Sequence, residues 1–130
     1  MHITFDGIRV GEPYSRITLA KLWGYDGYQG LARGFVTPKD DNKIILFVTR
    51  DKQTSAEQYK DRLVGDILYW EGPNDHYAED RMNEACHTGD ETHVFYRDTH
   101  HSDFIYEGRF TVVSCDRLSS QPSKFVLKRR

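Results

Sequence analysis

The sequence has few cysteines, no long apolar run and little net charge, and each shortage excludes a class of protein. Its two cysteines, Cys86 and Cys115, lie in unrelated contexts, so a disulfide framework is not expected. The longest apolar run, Ile44 to Val48, is far shorter than the roughly 20 residues of a membrane-spanning helix, and the amino terminus lacks the apolar segment of a signal peptide. We therefore expect no membrane span and a cytoplasmic location.

The net charge of -2 argues against a non-specific polyanion binder, since such proteins are usually strongly basic. The charge is unevenly distributed, however. Seven acidic residues and a single arginine lie between Glu71 and Glu91, whereas five basic residues and no acid lie between Arg117 and Arg130. This asymmetry predicts either one basic face on a near-neutral domain or a solvated basic tail.

The length of 130 residues predicts one domain over residues 1–130, with the alternative that the chain is a fragment of a larger protein. Aromatic residues reach 13% while hydrophobic residues reach only 38%, a balance that favours a β-rich domain over a helical bundle. The pattern predicts an α+β, barrel-like domain of about five to seven strands with two or three short helices.

Local signals place these elements along the chain. The Asp6-Gly7 pair indicates a small hairpin, and Ser15 is a candidate helix N-cap before an apolar stripe of Ile17, Leu19, Leu22 and Trp23. Further short helices are predicted over residues 28–32 and 76–87. Strands are predicted over residues 35–37, 43–50, 66–70, 92–97, 104–114 and 124–127. Gly108 interrupts the longest strand and predicts a bulge or a barrel corner.

Signatures of catalysis and of metal binding are missing from the sequence. Neither Cys86-His87 nor His100-His101 has a metal-ligand spacing, and no nucleophile motif is present. We therefore expect no enzyme activity, no metal and no cofactor. For His100 and His101, in a loop between two strands, a solvated role and a phosphate contact both remain open.

The segment YKDRLVGDILYWEG, residues 59–72, combines aromatic side chains with a carboxylate. Tyr59, Asp61 and Trp70 suit a flat, polar ligand such as an unstacked nucleobase, because aromatic faces take its π-face and a carboxylate accepts from its exocyclic amine. The alternative is an ordinary hairpin core with Asp61 capping a turn. Arg33 and Arg97 flank apolar segments, and either salt bridges or phosphate contacts are expected of them.

Taken in order, the segments LWGYDGYQGLARG, KIILFVTR, the Tyr59 and Asp61 pair, YWEG, DHYAEDRMNEA, THVFYR and FIYEGRF resemble the SRA-like branch of the PUA-like superfamily. The resemblance covers roughly residues 17–113. It implies a PUA-like (SRA-like) curved β-barrel that reads a modified base, typically a 5-substituted cytosine flipped from double-stranded DNA. Such domains are attached to modification-dependent restriction endonucleases and helicase-nuclease fusions, so a nuclease or helicase partner is also implied.

By this resemblance Tyr59 and Trp70 would sandwich the base, and Asp61 would bond its Watson-Crick edge. The expected contacts to the nucleic-acid backbone are Arg33, Arg97, His100, His101, Lys128 and Arg129. Two other functions stay open: a sensor of a small molecule or modified nucleotide that uses the same pocket, and a protein-interaction module of a larger defence protein.

Overall fold

The structure, a computed structural model, describes residues 3–31, 34–37, 42–51, 62–71, 90–99, 102–116 and 124–130. Within these ranges the chain forms eight strands of one sheet, one α-helix and one 3₁₀ turn. The strands are β1 Pro13–Tyr14, β2 Phe35–Val36, β3 Lys43–Asp51, β4 Arg62–Val64, β5 Ile67–Glu71, β6 Glu91–Thr99, β7 Phe104–Asp116 and β8 Lys124–Arg129; helix α1 is Arg16–Leu22 and the 3₁₀ turn is Tyr28–Leu31.

The sheet runs in the order β2-β3-β6-β7-β8-β5-β4, and β1 pairs with the start of β7. Strands β3 and β6 pair in parallel, and the other pairs are antiparallel. This curled sheet with a short helix confirms the predicted α+β, barrel-like fold. Strand β4 was not predicted; it forms a hairpin with β5 around Gly65, whose φ of 59° suits a residue without a side chain.

Strand β3 is buried on both faces, as its continuous apolar sequence predicted. Ile45 and Phe47 point into a first core cluster together with α1, whereas Ile44, Leu46 and Val48 point into a second cluster on the opposite face. Side chains alternate along a strand, so one strand contributes to both clusters.

Helix α1 begins at the predicted position but buries a different set of side chains. The Ser15 hydroxyl accepts a hydrogen bond from the Thr18 amide at 3.1 Å, as an N-cap should. Leu19 and Trp23 are buried, whereas Ile17 and Leu22 are 55% and 49% exposed. The predicted stripe was therefore wrong at Ile17 and Leu22, because the buried face is the one that carries Leu19, Ala20 and Trp23, and the other two residues lie on either side of it.

The amino-terminal turn forms without the predicted hairpin. The Ile8 amide bonds the Phe5 carbonyl at 3.1 Å around Gly7, but residues 3–12 contribute no strand. Ile3 and Ile8 are buried in the first core cluster instead. The predicted helix over residues 76–87 lies outside the described residues, and no described helix is long and apolar enough to span a bilayer.

A bulge at Gly108 bends β7. Val94 pairs with Gly108 and Phe95 pairs with Tyr106, so Glu107 is an extra residue in β7. Gly108 has a φ of 105°, a conformation that favours glycine. A bulge increases the local twist of a sheet, which accounts for the curl that the sequence predicted at this glycine.

Candidate functional site

A cleft of about 670 Å³ lies where β3 and β6 end and the β4 hairpin approaches them. Its walls include apolar and aromatic side chains from three strands: Leu63 and Val64 from β4, Tyr96 from β6 and Ile105 from β7. Leu63 and Tyr96 also pack against the second core cluster, which therefore underlies the cleft. The volume is in the range of sites for small organic groups, and the walls suit a planar one.

The charges around the cleft are mixed. Arg50 and Arg97 line it together with three acidic side chains, Asp98, Asp103 and Glu107. Such a lining does not by itself attract a polyanion, because the acidic groups oppose the arginines. It offers hydrogen-bond donors and acceptors to a polar ligand edge.

Of the three predicted base-pocket residues, the structure describes Trp70. Its indole is 5% exposed and belongs to the second core cluster, with its ring 5.3 Å from that of Phe125. Tyr59 and Asp61 lie outside the described residues. The stretch that contains them joins β3 to β4, and Arg50 before it and Leu63 after it both line the cleft.

Arg97, a predicted backbone contact, lies at the edge of the cleft. Its Nε donates to the Thr49 hydroxyl at 2.8 Å, and a terminal nitrogen donates to the Ser102 carbonyl at 3.1 Å. The guanidinium also lies over the Phe104 ring, 4.2 Å from its centroid. Burial lowers the pKa of Arg97 below its ordinary value. Three other predicted contacts, Arg33, His100 and His101, lie outside the described residues.

Lys128 and Arg129 differ in their surroundings although they are neighbours on β8. Lys128 is exposed. Arg129 donates to Asp66 at 2.9 Å, and it also bonds the Glu107 carbonyl and lies 3.4 Å from the Glu107 carboxylate. The positive charge of Arg129 is thus already balanced within the chain.

Three hydrogen-bonded side chains, Glu91 and His93 on β6 and Tyr106 on β7, form a group that the sequence did not predict. His93 is 5% exposed; its Nδ1 lies 2.6 Å from the Tyr106 hydroxyl and its Nε2 lies 2.9 Å from Glu91. The imidazole stacks on Phe5, with ring centroids 3.7 Å apart. The alternation of polar Glu91 and His93 within β6 is the only local signal of this group.

Burial and neighbouring charges shift the pKa values in this group, and an ionised Glu91 can only accept a hydrogen bond. Burial lowers the pKa of His93 to about 4, although the bond to Glu91 opposes this. Burial, and then the charge of Glu91, raise the pKa of Tyr106 to about 12. For Glu91, burial acts to raise the pKa, but His93 and Lys43 outweigh it and the pKa falls. A neutral imidazole therefore donates from Nε2 to Glu91 and accepts from the Tyr106 hydroxyl at Nδ1. We interpret this group as structural.

The cleft residues Arg50, Tyr96 and Glu107 were also missed. Tyr96 could have been found from the alternation of THVFYR, which places it on the opposite face from Phe95 and Arg97. Glu107 could not, because its position depends on the bulge. No three His, Cys, Asp or Glu side chains among the described residues are grouped to hold a metal ion.

The order and pairing of the described strands match the fold of SRA domains of known structure, a fold that the sequence resemblance implied. No family model matches the chain, and no curated protein matches it. Among solved structures, the SRA domain of SUVH5 in complex with hemi-methylated CG DNA aligns with a TM-score of 0.68 at 17% identity, covering 100% of this chain and 94% of that chain.

Two further structures extend this comparison. The SUVH5 SRA domain in complex with methylated CHH DNA aligns with a TM-score of 0.65 at 17% identity, over 100% of this chain and 94% of that one. The DNA modification-dependent restriction endonuclease AspBHI aligns with a TM-score of 0.53 at 12% identity, over 75% of this chain and 61% of that one. At these identities the comparisons establish the shared fold.

Proposed function

We propose that the chain is a DNA-binding module, without catalysis of its own, that reads a modified base in double-stranded DNA. The observation that carries the proposal is the alignment of the whole chain with the SRA domain of SUVH5, which was solved in complex with methylated DNA. A 5-substituted cytosine is the modification that we propose. A nuclease or helicase domain, in the same chain or in a partner, would act on the DNA so selected.

The cleft supports this function through its position. It opens between the two ends of the stretch that carries Tyr59 and Asp61, and it lies over the cluster that contains Trp70. We propose that a flipped base enters here, that Tyr59 stacks on it, and that Asp61 accepts from its exocyclic amine. Trp70 does not line the cleft and supports it from within the second core cluster. Unstacking a base costs a few kcal/mol, and stacking on aromatic side chains contributes about 1 to 3 kcal/mol per base, which offsets much of that cost.

The test compares binding of identical duplexes with cytosine, 5-methylcytosine and 5-hydroxymethylcytosine. We expect tighter binding to a modified duplex, and equal affinity for all three would contradict the proposal. Tyr59→Ala should reduce this discrimination by roughly tenfold or more, which corresponds to the stacking energy. Tyr69→Ala is the matched control, because Tyr69 is 40% exposed on β5 and does not line the cleft.

The mixed charge of the cleft favours a second candidate, a sensor of a modified nucleotide that uses the same pocket. Salt dependence separates the two functions. Duplex binding should weaken steeply as salt rises, because counterions are released from the phosphates, whereas binding of a small pocket ligand should change little. A modified nucleoside that binds as tightly as a modified duplex would favour the sensor.

A further inference from the structure

Arg16, which no motif singled out, lies against two aromatic rings at the edge of the first core cluster. Strand β1 pairs with the start of β7, so that Tyr14 lies opposite Phe104 and the first residue of α1 is brought over that ring. The guanidinium carbon of Arg16 lies 4.8 Å from the Phe47 centroid and 4.9 Å from the Phe104 centroid. Contacts of this kind favour a cation and fix its orientation.

A second guanidinium group, that of Arg97, also lies over the Phe104 ring. Arg97 lies 4.2 Å from the Phe104 centroid, and its bonds to Thr49 and Ser102 hold it there. The two positive charges interact: burial, and then the charge of Arg97, lower the pKa of Arg16 to about 10. Both side chains remain cationic at neutral pH, so the repulsion between them is present in the folded protein.

No anion within the described residues balances this pair. Neither Arg16 nor Arg97 forms an ion pair with a described carboxylate, and the Nε of Arg16 is buried there without a hydrogen-bond partner. Arg129 provides the contrast, because Asp66 and Glu107 neutralise it. A buried donor without a partner is costly, and two like charges in a half-buried place add to that cost.

We propose that Arg16 and Arg97, on the ring of Phe104, form a binding site for a phosphate group. A guanidinium presents a planar fork of donors that matches the oxygens of a phosphate, and two forks can hold one group from two sides. A bound phosphate would accept from terminal nitrogens of the two guanidinium groups and offset the repulsion between them. Arg97 also lines the cleft, so the site lies at the rim of the cleft.

The phosphate could be free or part of a DNA backbone; the DNA source rests on the proposed function, whereas the site itself does not. The first experiment titrates the whole chain with inorganic phosphate, and in parallel with chloride at the same ionic strength. The Nε–Hε signals of the arginines are followed by ¹H–¹⁵N NMR. We expect saturable shifts of the Arg16 and Arg97 signals with phosphate only, and no such shift at Arg9, an exposed control.

Variants test the geometry and the source. Arg16→Lys keeps the charge but loses the fork, and should bind phosphate several-fold more weakly. Arg16→Gln should lower the slope of log affinity for duplex DNA against log salt by about 1 if the phosphate belongs to DNA, equally for modified and unmodified duplexes. Arg9→Gln is the control.

Each outcome decides one part of the proposal. NMR shifts with an unchanged salt slope would support a site for free phosphate and exclude the DNA source. If the Arg16 signal does not shift, or shifts equally in phosphate and chloride, the proposed site is wrong. This titration uses the unaltered chain and so does not depend on whether a variant folds. Loss of discrimination between modified and unmodified DNA would bear on the proposed function alone.

Discussion

The two faces of the sheet are built from the same strands, but the core clusters on the two faces have different neighbours. On the first face, α1 and the amino-terminal segment cover a cluster of rings that includes Trp23, Phe47, Phe95 and Tyr106. On the second face, aliphatic side chains pack with Trp70, Phe110 and Phe125, and this cluster continues to the floor of the cleft through Leu63 and Tyr96. Among the described residues, the first face is closed by α1 and the amino-terminal segment, whereas the second face continues into the cleft.

Polar groups on and at the edge of the closed face also differ in whether their hydrogen bonds are satisfied. On the closed face, His93 is buried and its two ring nitrogens are both satisfied by Tyr106 and Glu91. At the edge of the same face, Arg16 keeps an unsatisfied buried donor. We infer that the satisfied His93 serves stability, whereas Arg16 and the polar groups of the cleft are available for binding. Four predictions test this division.

The largest effect is expected at the centre of the closed face. Phe95 is fully buried, and its ring lies 5.3 Å from that of Phe47 and 5.0 Å from that of Tyr106. Phe95→Ala should lower the free energy of unfolding by about 3 to 5 kcal/mol, through lost burial and the cavity left behind. Urea denaturation measures this. Leu127 is fully buried in the second cluster, and Leu127→Ala should cost less; the reverse order would mean that the second face, not the closed one, holds the tighter core.

Acid should destabilise the closed face through His93. Its pKa is about 4 in the folded protein and near 6.5 when unfolded, so the unfolded chain takes up the proton first. Stability is therefore fully present above pH 6.5 and is lost as the pH falls towards 4, by at most about 3 kcal/mol. Urea denaturation at several pH values measures this loss. His93→Gln should make the free energy of unfolding depend less steeply on pH. An unchanged slope in that variant would mean that other groups cause the pH dependence.

The bulge should depend on Gly108. Because its φ is 105°, alanine at this position would be strained, although the nearest atom to an added Cβ, in Val10, lies at an ordinary 3.5 Å. We expect Gly108→Ala to cost about 1 to 3 kcal/mol, measured by thermal unfolding. The pairing of β7 with β8 has a second register shift between Val112 and Ser114, and Val113 there is 57% exposed. Val113→Ala should therefore change stability little. Equal effects of the two would show that the backbone conformation of Gly108 is unimportant.

The smallest effect is expected at Arg129, whose charge Asp66 and Glu107 neutralise. Asp66 is largely exposed, so Asp66→Asn should change the free energy of unfolding by less than about 1 kcal/mol, and less again in high salt. Chemical denaturation at two salt concentrations measures this. A larger, salt-independent loss would mean that Arg129 is held as rigidly as the groups inside the closed face.

Much of the fold was predictable because its signals are local. The apolar run of β3, the serine before α1 and the glycine inside β7 each act on neighbouring residues, and each prediction was confirmed. Strand β4 was missed because three residues carry too little pattern. Of the candidate site, Arg97 and Trp70 were placed on the correct strands, while their roles stay predictions.

The sequence alone determined the class of domain and the position of its main strands, because periodicity, caps and turns depend on residues close together in the chain. The tertiary structure decided which distant side chains meet. Arg16 and Arg97 both lie over Phe104 only because β1 and β6 each pair with β7. His93 meets Tyr106 only through the register of β6 and β7, which the bulge shifts by one residue. Such contacts depend on strand order and register, which no local segment encodes.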